Sequence, residues 1–182
     1  MGKLFSEITP EIQEWIENQK MFFVATAPLT ADGHVNCSPK GLDSFRILTP
    51  TLVAYQDLTG SGIETIAHIQ ENKRIVIMFC ALEGPPKIYR FYGNGEVVFP
   101  DSENFLSVSV RFPARIGVRA YILIHLTRIQ DSCGYGVPQY DFKEEREVLT
   151  KWADVKGEKA VLEYQKVKNL KSIDGLQGLG TK

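Results

Sequence analysis

Cysteine is scarce in this chain: Cys37, Cys80 and Cys133 are odd in number, widely spaced and never arranged as CxxC. That pattern argues against both a disulfide framework and a zinc site. Long apolar runs are also missing, since no stretch approaches the about 20 residues that a membrane span needs. The amino terminus carries Glu7, Glu11, Glu14 and Glu17, the wrong flanks for a signal peptide. A cytoplasmic protein with no membrane partner is the expectation. Nor is there a surplus of one charge, because 21 basic residues face 22 acidic ones for a net charge of -1. Binding to a nucleic-acid backbone draws on a basic surplus, so no nucleic-acid partner is expected. One short pattern qualifies the amino terminus: residues 1–6, Met-Gly-Lys-Leu-Phe-Ser, fit the spacing of an N-myristoylation signal.

What is present is ordinary globular material of 182 residues, enough for one well-buried core and too little for two ordinary ones. We therefore expect a single domain over residues 1–182. Thr9, Pro10 and Glu11, followed by Ile12, Trp15 and Ile16 at helical spacing, open with a helix. β-rich runs then occupy residues 21–27, 34–38, 45–48, 52–56, 74–80, 88–99 and 118–129. Ala31-Asp32-Gly33 reads as a hairpin turn and Thr49-Pro50 as a tight connection. Two helices interrupt the strands, at about 62–71 and at about 102–110, the second opened by Pro100-Asp101. Residues 142–168 look helical on Leu149, Trp152, Ala153, Ala160, Val161, Leu162 and Val167, with a break near Gly157, and Gly175, Gly178 and Gly180 loosen the end. Six or seven mostly antiparallel strands with flanking helices predict a mainly β fold, a closed or nearly closed β-barrel over about residues 20–130 with a helical extension over about 140–182.

The most informative stretch for chemistry is residues 55–65, Tyr-Gln-Asp-Leu-Thr-Gly-Ser-Gly-Ile-Glu-Thr, where a strand meets a helix through two glycines. Ser61 and Glu64 have capping-box spacing, which by itself explains a well-made helix start. The same amides, approached over Gly60 and Gly62, could instead hold an anion at the positive helix end. Glu64 opposes that reading with its own charge, so a phosphate there needs a cation from elsewhere. The loop is no P-loop, since it lacks the closing Gly-Lys-Ser/Thr. Alternation places Asn36, Ser38 and Lys40 on one side of the second strand, where Lys40 is either that cation or a solvated turn lysine.

The order of three segments, residues 22–41 with FFVATAPL and GHVNCSPKG, residues 54–80, and RFYGNGEVV at residues 90–98, resembles the pyridoxamine 5'-phosphate oxidase-like FMN-binding family. The resemblance implies a split barrel, a homodimer with FMN at its interface, and redox chemistry on a small-molecule substrate. Carried over residue by residue, it keeps Lys40 as a contact to flavin and substrate and Thr59 beside Leu58 as a flavin contact. The arginine that opens the lysine-bearing stretch in the true oxidases is Val35 here, and the Arg-Lys pair that holds the phosphate is Glu64-Thr65. Thr65, Ser38, Lys40 and Arg46 are then the groups left to compensate. The implied cofactor-binding set is Ser38, Lys40, Asp57, Leu58, Thr59, Ser61, Gly62 and Thr65.

Arg111 and Arg115 lie near the region that grips substrate phosphate in the true oxidases, and Tyr135 and Trp152 are the aromatics that could cover a flavin ring. His34, His68 and His125 show no metal spacing, and no residue stands out as a general acid or base. Such a chain suits chemistry carried by a cofactor. The alternative is a non-catalytic module that stores or senses flavin, haem or another planar ligand.

Overall fold

The computed structural model describes residues 2–180. Met1 of the amino-terminal pattern and Thr181 and Lys182 of the extension lie outside the described residues. Eight antiparallel strands are present among them: β1 (Leu4–Phe5), β2 (Phe22–Thr26), β3 (Asn36–Lys40), β4 (Phe45–Thr49), β5 (Leu52–Leu58), β6 (Arg74–Cys80), β7 (Ile88–Val98) and β8 (Val118–Ser132). They follow the order β3-β2-β6-β7-β8-β5-β4, with β1 paired to β8. The seven expected strands are all found, and the eighth is the two-residue β1. It was invisible to periodicity because two residues cannot show a period. The helices are α1 (Pro10–Glu17), α2 (Glu64–Asn72), α3 (Phe105–Ser109) and α4 (Val148–Lys168).

The sheet curls around one main apolar interior, while β5 and the first half of β8 are buried on both faces, their outer side covered by a smaller cluster that includes Ala54, Tyr121, Leu123 and Phe112. Ile75, Ile77 and Phe79 of β6 are buried while the residues between them are half-exposed, the period of two expected for a strand with one core face. Phe22 of β2 stacks 5.3 Å from Phe45 of β4, and Phe45 lies 5.0 Å from Phe79 of β6. Ring contacts therefore bring edge strand β4 back over β2 and β6, and the result is a split barrel. Ile12 and Ile16 of α1 and Ile66 and Ile69 of α2 close the same core.

Four local expectations need correction. The capping box does not form: α2 begins at Glu64, its N-cap is Ile63, and no side chain caps it. Glu64 is thus at the first helical position rather than the third, and its carboxylate accepts instead from the Ile173 amide. The third helix starts at Phe105 because Ser102 is spent in a turn, with its Oγ accepting from the Phe99 amide. Residues 139–147 are a strap rather than a helix, tied by the Tyr140 amide to the Leu82 carbonyl and by the Phe142 amide to Glu83. Finally, α4 does break at Gly157, at φ 74°, but of its apolar positions only Ala153 and Val161 are buried, while Leu162 and Val167 face outward.

Candidate functional site

β3, the end of β5, the loop into α2 and β8 converge on a cavity of about 300 Å³. Asn36, Ser38 and Lys40 line it from β3, as the alternation predicted, and Gln56 to Gly60, Gly62 to Ile66, Arg119 and Leu149 complete it. Seven of the eight predicted site residues meet there: Ser38, Lys40, Asp57, Leu58, Thr59, Gly62 and Thr65. Ser61 stands beside the cavity rather than in its lining, with an exposed side chain.

The electrostatic centre is Asp57, 1% exposed. Burial alone would push its carboxyl up, but Arg119 and then Lys40 outweigh that and hold it below the ordinary carboxylate range. Arg119 Nε donates at 2.9 Å and Lys40 Nζ at 3.5 Å. Two buried or half-buried cations on one buried anion leave one positive charge in the cavity wall, which Glu64 at the rim then balances. Lys40 is therefore a participant in an ion cluster rather than a free turn lysine. It also lies over the Tyr55 ring, 5.8 Å from its centroid.

A second, uncharged network runs along β3. Ser38 donates to Asn36 Oδ1 at 3.1 Å, and Asn36 Nδ2 donates to Thr65 Oγ1 at 2.9 Å. Behind it Thr26 Oγ1 pairs with His68 Nδ1 at 2.9 Å. His68 is wholly buried, which pushes its pKa down, so the ring is kept neutral. Thr59 is more committed than expected: its hydroxyl donates to the Gly117 carbonyl at 2.7 Å and accepts from Gln165 Nε2 at 2.7 Å.

Among the residues that sequence reasoning missed, Arg119 lines the cavity, and Gln165 and Asn169 lie behind it, bonded to Thr59 and to the Gly60 carbonyl. Arg119 alternates with apolar β8 residues, so periodicity alone placed it in a barrel wall without revealing its partner. The two amides sit in the extension, far from any motif. Their signal was a polar residue at a helix position where Ala153 and Val161 already marked the inward face.

Other expectations fall away from the cavity. Arg46 is engaged by Asp43 at 2.7 Å and by the Arg111 carbonyl, so it does not compensate for lost cations. Arg115 ties Gln56 and the Leu42 carbonyl together. Tyr135 is exposed, and Trp152 packs edge-on against Tyr164 within the extension. His34 pairs with Asp174 and His125 with Glu96 at the surface. Ile77 and Phe91 are wholly interior, Ile75, Phe79 and Tyr89 are buried in the same core, and the other face of β6 carries Val76, Met78 and Cys80.

Residues 8–139 match the family model described as pyridoxamine 5'-phosphate oxidase. A curated relative, the pyridoxamine 5'-phosphate oxidase family protein ustO of Aspergillus flavus, is 36% identical over 98% of this chain and 78% of its own. Among solved structures, HupZ of Group A Streptococcus is 31% identical over 67% of this chain and 91% of its own, with a TM-score of 0.55. A putative pyridoxamine 5'-phosphate oxidase of Lactobacillus delbrueckii shares the fold at 17% identity and a TM-score of 0.53, covering 69% of this chain and 94% of its own. With its barrel order, its lysine at the end of β3 and these matches, the chain belongs to the pyridoxamine 5'-phosphate oxidase family.

Proposed function

We propose that the protein is an FMN-binding oxidoreductase acting on a small molecule. The observation that carries this reading is the convergence of Ser38 and Lys40 from β3 with Asp57, Leu58, Thr59, Gly62 and Thr65 from the stretch joining β5 to α2, on one cavity in a chain of this family. The donor set fits a flavin. Asn36, Ser38 and Thr65 supply hydroxyl and amide groups on one wall, Lys40 supplies a cation, and nothing lies within 4 Å of where a Cβ on Gly60 would stand, so a ligand can approach the backbone closely. When bound, the flavin supplies the hydride chemistry. Lys40 would orient the bound ring and offset charge gained on reduction, with Arg119 the nearer partner of Asp57, at 2.9 Å against 3.5 Å for Lys40. Asp57 is a poor proton carrier, because Arg119 and Lys40 hold it ionised.

The pocket does not favour two phosphorylated ligands at once. Val35, Glu64 and Thr65 stand where the true oxidases carry basic residues, and Asp57 and Glu64 together offset the charges of Lys40 and Arg119. Oxidation of pyridoxamine 5'-phosphate is therefore expected to be weak or absent.

The same reading includes a homodimer, supported by size: a cavity of about 300 Å³ is at the small end for cofactor sites, so the ring would need a second wall. A partner subunit supplies it and excludes water from the flavin. Titration of the purified protein with FMN tests the reading. Retained blue absorbance that bleaches with a nicotinamide donor is expected, and a colourless protein that takes up no FMN overturns it. Sedimentation at several concentrations tests the dimer, and a monomer that binds FMN tightly throughout overturns it.

A further inference from the structure

Lys40 ends β3, and the residues after it turn the chain toward β4. Leu42 at φ 62° and Asp43 at φ 51° both lie in the left-handed region, where a side chain crowds its own backbone and glycine is the usual occupant. Among the described residues the other non-glycine case is Lys73, which caps the end of α2, a place where left-handed backbone is ordinary. The pair after Lys40 caps no helix. Two neighbouring residues in that region persist only where their surroundings over-determine them.

The surroundings are Gln56 and two arginines. Buried Gln56 donates from its amide to the Ser44 carbonyl at 2.8 Å and from Nε2 to the Pro113 carbonyl at 2.9 Å, so it is a fixed point of β5 beside Asp57. Arg115 forks between that point and the turn: Nη1 donates to Gln56 Oε1 at 2.5 Å and Nη2 to the Leu42 carbonyl. Two donors at a set spacing are what a guanidinium supplies and an ammonium does not. Ser44 Oγ adds a bond to the Gly41 carbonyl at 2.6 Å, and the Leu42 amide donates to Glu145 at 3.3 Å. Arg46 grips the Asp43 carboxylate at 2.7 Å and 2.9 Å, but the Asp43 side chain is 67% exposed, and an exposed pair contributes little. Half-buried Arg115 is therefore the main tie.

We infer that Arg115 is a positioning residue, which locks the left-handed Leu42–Asp43 turn onto Gln56 and so fixes Lys40 opposite Asp57 in the cavity. Lys40 comes two residues before Leu42, and Asp57 comes one after Gln56. A tie between Leu42 and Gln56 consequently sets the separation of the two backbones from which Lys40 and Asp57 reach each other. Their contact, at 3.5 Å, is long enough for a small shift of the turn to break it. Arg115 itself is not in the cavity lining, whereas Gln56, Leu42 and Lys40 are, so it acts through them. Both of its Nη atoms are engaged within the chain, which sets this role apart from the grip on substrate phosphate that the family resemblance suggested for that region. What Lys40 does for a ligand rests on the FMN reading above; the tie does not.

Two measurements on the full chain test this. The first is a crystal structure of Arg115→Ala with no ligand added, or of Arg115→Lys, the milder change, should the alanine variant not fold. Leu42 and Asp43 should leave the left-handed region, and Lys40 Nζ should move out of ion-pair distance of Asp57. An unchanged turn overturns the inference whatever the protein binds. The second is flavin titration of Arg115→Lys, which keeps the charge and loses the fork. FMN and riboflavin should weaken alike, each about tenfold, because Lys40 would stand at the ring that both share, and the reduction potential of bound FMN should fall as the cation moves off. Adding Leu42→Gly, which lets the backbone turn left-handed without a clamp, should recover most of the affinity. Affinities equal to those of the unmodified protein would mean that charge alone suffices and would overturn the clamp. A loss that Leu42→Gly does not recover would make Arg115 a support of the fold rather than of the turn and would overturn its positioning role. If the unmodified protein takes up neither flavin, the FMN reading fails, and the crystal structure of the variant still decides the tie.

Discussion

The barrel and the carboxy-terminal segment are held together by different physics. The barrel encloses a continuous apolar core with Val24, Ile77, Phe91, Ile122 and Ile124 at 0% exposure, and each of these is worth about 1.5–3 kcal/mol when fully buried. Beyond residue 139 the buried apolar residues are Ala153 and Val161, against buried Gln165, Asn169 and Ser172. The segment is joined to the barrel by directed hydrogen bonds: Gln165 to Thr59, Asn169 to Gly60, and Gln70 to the Gln177 and Gly178 carbonyls. Apolar burial tolerates small displacements, whereas such bonds specify geometry. The barrel supplies stability and the segment supplies precision at one loop.

The sharpest way to break the contrast is to place a polar failure inside the barrel. Asp57→Asn leaves Arg119 buried without its counter-charge, and stability should fall by about 3–5 kcal/mol, read as a lower denaturant midpoint. The same pair gives an acid limit. Because the folded Asp57 has a lowered pKa, its contribution is complete above the ordinary carboxylate value and is lost as pH falls through the folded one. A midpoint unchanged in Asp57→Asn would mean that the ion cluster adds nothing to the barrel.

Lys40→Ala tests the other end of that cluster. Arg119 still neutralises Asp57, so the melting temperature should change little, while FMN affinity drops roughly ten- to hundredfold. Equal FMN affinity in a normally folded variant would reduce Lys40 to a structural partner of Asp57.

Which parts were legible follows the same division. Strands β2 to β8 could be read from their β-rich runs and the turn residues between them, and Asn36, Ser38 and Lys40 shared a face because β3 alternates with a period of two. The Ser61–Glu64 capping box misled because spacing does not fix where a helix starts: Ile63 holds the cap position, and Asn169 and Arg119 bind the carbonyls of the loop before it. The outward faces of Leu162 and Val167 could not be foreseen, since a helix attached by hydrogen bonds need not bury its apolar stripe. Arg119 and Asn169 gain meaning only from contacts spanning 62 and 109 residues.

His68 gives a smaller, pH-dependent effect. Burial lowers its pKa below the ordinary 6.5, so below that pH the unfolded chain takes up a proton that the folded chain refuses. Stability should be complete above about 6.5 and decline as pH falls through the folded value. His68→Gln, which can still pair with Thr26, should flatten the slope of melting temperature between about pH 7 and 5.5. An equally steep slope in the variant would assign the pH dependence to other groups.

The smallest expected effect separates charge from geometry at the loop. Glu64→Gln keeps an oxygen for the Ile173 amide and removes one negative charge beside Gly62, so the loop and the segment should stay in place. A half-exposed like charge near a phosphate costs about 1 kcal/mol in a water-like dielectric. FMN affinity should accordingly rise by about fivefold. Riboflavin, which has no phosphate, should bind as before. Because the interaction is only partly shielded from solvent, the gain should shrink as salt is raised. An equal gain for riboflavin would place Glu64 beside the ring rather than the phosphate, and an FMN affinity unchanged at low salt would put the phosphate away from Gly62. Either result would separate the barrel's ion cluster, which keeps its role, from the loop that the segment shapes.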